Sequence, residues 1–267
     1  MRIFTVSFTL AVILAAGALT FSKRGSTAVQ NQEPLDGPYS FFLPHLSGDS
    51  CGPTTDNFEH SDSGWFTGQR DSLLVEYHEG EYRVVISEPM TVWMFVAPGC
   101  PRPNYRAEID ARWVGTPGNF YAMLFNVDNS VDGAYLFAIN TDTRVWLVMQ
   151  ISGGDLNFII SETGNDAILP GGQINRLAVE RRQDVIYLAV NDTPVGELLM
   201  GHPGPPVAVG VAVGTYVGIA PADARFNNFS NTSVVLDDVA PFALLERPPI
   251  NWAGPYALPV APVTPDR

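Results

Sequence analysis

Glu108, Asp110 and Arg112 stand two residues apart, separated by Ile109 and Ala111 and followed by Trp113. Residues two apart share one face of a β-strand, so Arg106, Glu108, Asp110 and Arg112 project one way and Tyr105, Ala107, Ile109, Ala111 and Trp113 the other. Carboxylates on one face suit glycosidic bond cleavage, for which retaining enzymes set a nucleophile and an acid/base carboxylate about 5–5.5 Å apart. The next position on this face is Arg112, whose guanidinium cannot donate a proton near neutral pH. Glu108 and Asp110 are therefore candidate hydrolytic carboxylates without an acid/base partner on their own strand. The same residues also suit a ligand-binding face, or cross-strand charge pairing on a solvated one.

A second polar group lies in the run Val145–Ile151. With Val145, Leu147 and Met149 inward, Arg144, Trp146, Val148 and Gln150 face out. An aromatic ring among polar donors is the makeup of a sugar platform, the ring covering apolar C–H faces while polar groups take hydroxyls. Glu108, Asp110, Arg112, Arg144, Trp146 and Gln150 together form the expected ligand-binding set.

Other chemistry is thinner. Asp128, Ser130 and Asp132, with Gly133 after them, match the first half of a calcium loop, but Ile139 occupies the place of the bidentate acid. A hairpin turn is the simpler reading. His45, His60, His78 and His202 share no metal-ligand spacing. Ser152-Gly153-Gly154 and Pro170-Gly171-Gly172 are turns without the Lys-Ser/Thr of a phosphate loop. Asn191, Asn228 and Asn231 open glycosylation sequons that matter only in a eukaryotic secretory route. No metal or cofactor is expected.

The elements that must position these residues are strands. Period-two patterning runs from Asp56 to about Ser230, giving about twelve candidates at 8–12-residue spacing. They cover 72–77, 82–87, 91–96, 105–114, 120–126, 134–140, 145–151, 157–160, 174–180, 185–190, 207–213 and 224–229. The 24 Gly and 22 Pro in 267 residues suit the turns between them. Beyond the N-terminus no sustained helical stripe is present. The fold class is therefore all-β, a two-sheet antiparallel sandwich or jelly roll.

Outside residues 56–233 the texture changes. Arg2 precedes an apolar run from Ile3 to Phe21, which is long for a signal-peptide core of about 7–15 residues and close to the length that spans a bilayer. Residues 1–28 are read as a signal peptide or N-terminal membrane anchor, with cleavage after Ala18 or Ala28 as one outcome and retention as the other. Lys23 and Arg24 beyond the run weigh against an exported anchor. Residues 29–55 form an approach segment whose apolar patch, Tyr39 to Leu43, can dock on the domain edge. From 234 to 267 seven prolines, starting at Pro241, cannot supply ladder donors. This is read as an extended spacer whose Trp252 and Tyr256 can latch onto the domain or a partner.

Export to the extracellular space or cell envelope fits the two cysteines. In an oxidising compartment Cys51 and Cys100 are expected to pair, adding about 3–4 kcal/mol in the chain-entropy model. A nucleophilic cysteine lacks any local Cys-His signature. The formal charge of −13 argues against nucleic acid or an anionic membrane surface as partner, which leaves the N-terminal segment as the expected membrane contact. A neutral glycan is the expected partner, and no oligomeric state follows from the sequence.

Several motifs together resemble a known module. They are Asp56-Asn57-Phe58, Ser63-Gly64-Trp65, Gly80-Glu81-Tyr82-Arg83, Ala97-Pro98, Tyr121–Phe125, Gly133–Phe137, Asn175-Arg176-Leu177, Val190–Val195 and Phe226-Asn227-Asn228-Phe229. The chain is similar to the concanavalin A-like and laminin-G-like jelly rolls grouped with the 3-keto-disaccharide hydrolase-like domains. Glu108–Arg112 resembles the Glu-x-Asp-x-Glu signature of laminarinase-type glucanases, with Arg112 in place of the final acid. At the closing motif the family usually has Asp where Asn227 stands. The resemblance implies a β-sandwich whose concave sheet often binds carbohydrate. An exported carbohydrate- or surface-binding module, non-catalytic, is the expected function. The alternatives are a glycoside-bond hydrolase using Glu108 and Asp110, and a structural or adhesion component of the envelope.

Overall fold

The computed structural model describes residues 39–42 and 54–236, apart from 116, 129–132, 153–154, 201–203, 217–218 and 220. The first strands in chain order are β1 (Tyr39–Phe42), β2 (Thr54–Asp56), β3 (Gly68–Arg70), β4 (Leu73–His78), β5 (Glu81–Ile86) and β6 (Val92–Val96). Next come β7 (Tyr105–Trp113), β8 (Phe120–Val127), β9 (Tyr135–Asn140), β10 (Val145–Ser152) and β11 (Asp155–Glu162). The last are β12 (Asn175–Arg182), β13 (Val185–Val190), β14 (Thr193–Leu199), β15 (Ala208–Gly214) and β16 (Ala222–Ser233).

These strands make two stacked sheets. One has the order β1-β6-β15-β8-β9-β10-β11; the other has the order β14-β13-β12-β7-β16-β5-β4-β3, with β2 against β16. All pairings are antiparallel except that of β1, which joins the edge strand β6 in parallel. The patch from Tyr39 thus does reach the domain edge, as a strand of the sheet.

The nine-stranded sheet is amphipathic. On β7 the residues Tyr105, Ala107, Ile109, Ala111 and Trp113 are buried, while the four charged ones between them are only partly so, as alternation predicts. The seven-stranded sheet differs: β6 and β15 are buried along their whole length. Its inner side chains, among them Phe95, Tyr121, Phe137 and Trp146, enter the core between the sheets. Its outer ones, among them Met94, Leu124, Leu136 and Met149, form a second apolar cluster. Two apolar faces erase the period-two signal.

That is why the sequence assigns the faces of β10 the wrong way round. Trp146 and Val148 point into the inter-sheet core; Leu147 and Met149 point to the other side. Trp146 is 1% exposed. Its Nε1 donates to Glu162 Oε2 at 2.8 Å, and its ring meets Phe137 edge-on at 6.1 Å. The indole reaches the opposite sheet at Gly196, where a Cβ would stand 2.7 Å from the ring. Gly196 and Pro194 also explain why β14 is missed in the sequence: both weaken a strand signal, and both are tolerated on this edge strand.

Cys100 is buried; Cys51 lies outside the described residues. Their pairing remains a proposal with a direct check. Mass spectrometry of the unreduced, exported protein is expected to show no free thiol, and two free thiols would contradict it.

Candidate functional site

The outer face of the nine-stranded sheet carries a ladder of guanidinium–carboxylate bonds centred on β7. Arg112 donates from Nε and Nη2 to the two oxygens of Glu81 on β5, at 2.7 and 2.6 Å, a two-pronged bond with fixed geometry. Arg225 on β16 adds a third donor to Glu81 at 3.2 Å. Arg83 bonds Asp223 Oδ2 from Nη2 at 2.7 Å and reaches Glu76 at 3.1 Å. Arg176 on β12 lies opposite Asp110 in register and donates to its Oδ1 at 2.9 Å. Glu108 accepts from Arg106 Nε at 2.6 Å. Arg106 also lies 3.5 Å from Glu180, to which Arg182 donates at 2.5 Å.

A β-bulge completes the hold on Asp110. The register of β16 against β7 shifts between Asn227 and Ser230, and Asn228 adopts a φ of 49°. This local kink re-aims a side chain: Asn228 Nδ2 donates to Asp110 Oδ2 at 2.9 Å. Asn227 accepts from the Asn228 backbone N–H at 2.7 Å.

Burial raises the Glu81 carboxyl pKa, but the bonds from Arg112 and Arg225 outweigh it and hold the group below the usual carboxylate range. Glu81 is therefore ionised at neutral pH and is no proton donor there. Arg112 is raised further above its ordinary value by its bond to Glu81. The arrangement supplies fixed N–H donors beside carboxylate oxygens that retain acceptor capacity. That chemistry suits recognition of hydroxyl groups.

An aromatic shares this face, on a strand where the sequence analysis did not place one. On β13, Ile186, Leu188 and Val190 are buried, which turns Tyr187 outward. Its cross-strand partners are Glu180 and Glu197. Burial and the Glu197 charge raise the phenol pKa, with Arg182 opposing them. The phenol thus stays protonated as a donor. Val185–Val190 carries no charged residue to mark its outer face, so it is the burial pattern of the folded strand that shows Tyr187 pointing out. Ile174, 56% exposed, lies one step beyond the Asn175–Ala111 pair and adds an apolar edge.

The six expected ligand-binding residues do not form one site. Glu108, Asp110 and Arg112 belong to the outer face of one sheet; Trp146 and Gln150 belong to the other sheet, and Arg144 to the turn before β10. Trp146 is core. Gln150 donates to the Tyr135 hydroxyl at 2.9 Å. Arg144, at a φ of 50°, pairs with the exposed Asp166 at 3.2 Å. Ser130 and Asp132 of the calcium-loop reading lie outside the described residues. Among the described residues no group of three or more His, Cys, Asp or Glu side chains is placed to hold a metal ion. Asn191 ties three segments together. It accepts from the Arg176 backbone N–H at 2.8 Å and donates to Ala167 O and Asn175 Oδ1 at 2.7 and 2.8 Å.

No protein-family model and no curated protein matches the chain. Solved structures do. A Bacillus licheniformis β-glucanase superposes with a TM-score of 0.54 at 14% identity, over 70% of this chain and 100% of the other. A glycosidic hydrolase gives 0.52 at 13%, over 70% and 98%. A Bacillus subtilis protein of unknown function with a galectin-like fold gives 0.50 at 12%, over 67% and 94%. At these identities the likeness establishes the fold alone, a concanavalin-like β-sandwich of two antiparallel sheets.

Proposed function

We propose that this chain is an exported, non-catalytic module of the extracellular space or cell envelope. It binds a neutral glycan on the outer face of its nine-stranded sheet. The observation that carries this reading is the ladder around β7. Its carboxylates are neutralised by guanidiniums that keep them fixed, and Tyr187 stands beside them as a ring for the apolar face of a sugar. Glycan binding is favoured over hydrolysis because the position that would supply a proton donor is Arg112, and the carboxylate nearest to it, Glu81, is held ionised. The glycan-active structural neighbours are consistent with glycan recognition in general.

A glycan array probed with the full chain tests the proposal. Binding to one or more neutral oligosaccharides is expected. Tyr187→Ala should raise Kd by about tenfold or more, equivalent to ~1.4 kcal/mol, with an unchanged melting curve. No binding to any neutral glycan, or binding indifferent to Tyr187→Ala, would overturn it.

A further inference from the structure

The outer face of the seven-stranded sheet poses a separate problem. In a two-layer sandwich this side would meet water, yet Leu136 and Ala138 are 0% exposed and Met94 and Met149 are 2% exposed. The partly buried residues packed against this cluster are Val145, Leu156 and Tyr216. All three belong to the same sheet or to the turn leaving β15, so none of them forms a layer above it. Among the described residues no strand lies over this side. An apolar sheet face of this extent has to be buried against another element.

We propose that the chain's own C-terminal segment, residues 237–267, docks on this face as an extended polyproline-like strap and is a structural part of the domain. Three observations favour this occupant. The first is where the described chain ends. The Ser233 hydroxyl is bonded by Arg102 Nη1 at 2.5 Å. The Arg102 backbone bridges Val207 in both directions, at 2.9 and 3.0 Å. Val207 precedes Ala208, whose side chain belongs to the outer cluster. The segment therefore departs beside the rim of the face it would cover.

The second is composition. Phe242, Leu244, Leu245, Ile250, Trp252 and Tyr256 fall among the prolines, with Glu246 and Arg247 the charged residues between Asp238 and Asp266. A solvated spacer has no use for that apolar content, whereas proline-rich segments dock readily on apolar and aromatic surfaces. Their prolines let such a segment lie across a sheet without adding to its ladder.

The third is reach. Crossing from β15 to β10 takes three strand spacings of about 4.8 Å, and a polyproline strand advances about 3.1 Å per residue. A handful of residues crosses the sheet, so the stretch from Pro241 to Pro259 can traverse it more than once. The N-terminal apolar run is the weaker candidate, because its expected fate is cleavage or a membrane. This inference is independent of the glycan face, which belongs to the other sheet.

The test compares the full chain with a chain ending at Leu236. The shortened chain is expected to melt at least about 5 °C lower and to bind a hydrophobic dye. A synthetic 237–267 peptide added in trans should restore its melting temperature in a saturable manner. In the full chain, the fluorescence difference between wild type and Trp252→Phe should show Trp252 blue-shifted and shielded from acrylamide. This second readout decides the matter if the shortened chain does not fold. An unchanged melting temperature, a Trp252 as quenchable as free tryptophan, or a concentration-dependent dimer persisting in the shortened chain would each overturn the proposal. The last would assign the face to a second copy.

Discussion

Replacing Trp146 with alanine is expected to destabilise the domain by about 3–5 kcal/mol, a fall in melting temperature on the order of 10 °C for a domain of this size. The ring fills the space between the sheets from β10 to Gly196 on β14. The sheets cannot close over that volume without displacing Phe137, which packs edge-on against the indole. Part of the cost is polar, since Glu162 Oε2 loses its indole donor and keeps Asn165 Nδ2 at 3.2 Å. Trp146→Phe separates the two terms. It preserves much of the packing and removes the hydrogen bond, so it should cost about 1–3 kcal/mol. Urea denaturation of the three proteins measures both. A Trp146→Ala protein as stable as wild type would return the ring to the surface and restore it as a candidate sugar platform.

Arg112→Glu should also be costly, and it should not create a glycosidase. At neutral pH a loss of about 1–3 kcal/mol is expected, because the new carboxylate would face Glu81, now left with Arg225. The pair is only partly buried, at 32% exposure for Arg112 and 15% for Glu81, which keeps the figure below that of a fully buried pair. The pH dependence identifies the cause. In the wild type the folded Glu81 pKa lies below the ordinary value. Its contribution to stability is therefore present above the unfolded pKa of about 4.3 and is lost as pH falls through the lower folded value. In the variant, like-charge repulsion raises the folded pKa of Glu81, so protonation relieves the penalty. The two stabilities should converge as pH drops below about 4. Denaturation curves across that range, with an assay on laminarin, check both parts. Equal stability at neutral pH would break the charge-pair account. Turnover by the variant would show a hydrolytic frame needing only its acid/base residue.

The nine-stranded sheet was the legible half of the molecule, because one of its faces is solvated and alternation survives on β5 and β7. Six of the seven strands of the other sheet were located, β1 having been read only as an apolar patch, but the faces of that sheet were not assignable. Runs such as Val92–Val96 and Ala208–Gly214 are buried throughout and contain no polar residue to mark the outside. Trp146 was misplaced for that reason. The charge ladder was legible only as isolated charges. Arg112 finds Glu81 at a separation of 31 residues, Arg176 finds Asp110 at 66, and Arg83 finds Asp223 at 140. No local spacing encodes such partners; strand order does. Tyr187 was hidden for the same reason as the faces of the seven-stranded sheet, since Val185–Val190 is apolar apart from the phenol and does not mark its outer side.

The most direct test of the glycan-binding proposal is the location of the bound sugar on the full chain. Backbone amide resonances would be followed by NMR during titration with the strongest ligand from the array. Shifts are expected to concentrate on β7, β12 and β13 around Asp110, Arg176 and Tyr187, while the strands carrying Trp146 and Gln150 remain unmoved. Shifts centred on the seven-stranded sheet, or none at saturating glycan, would contradict the assignment of the binding face.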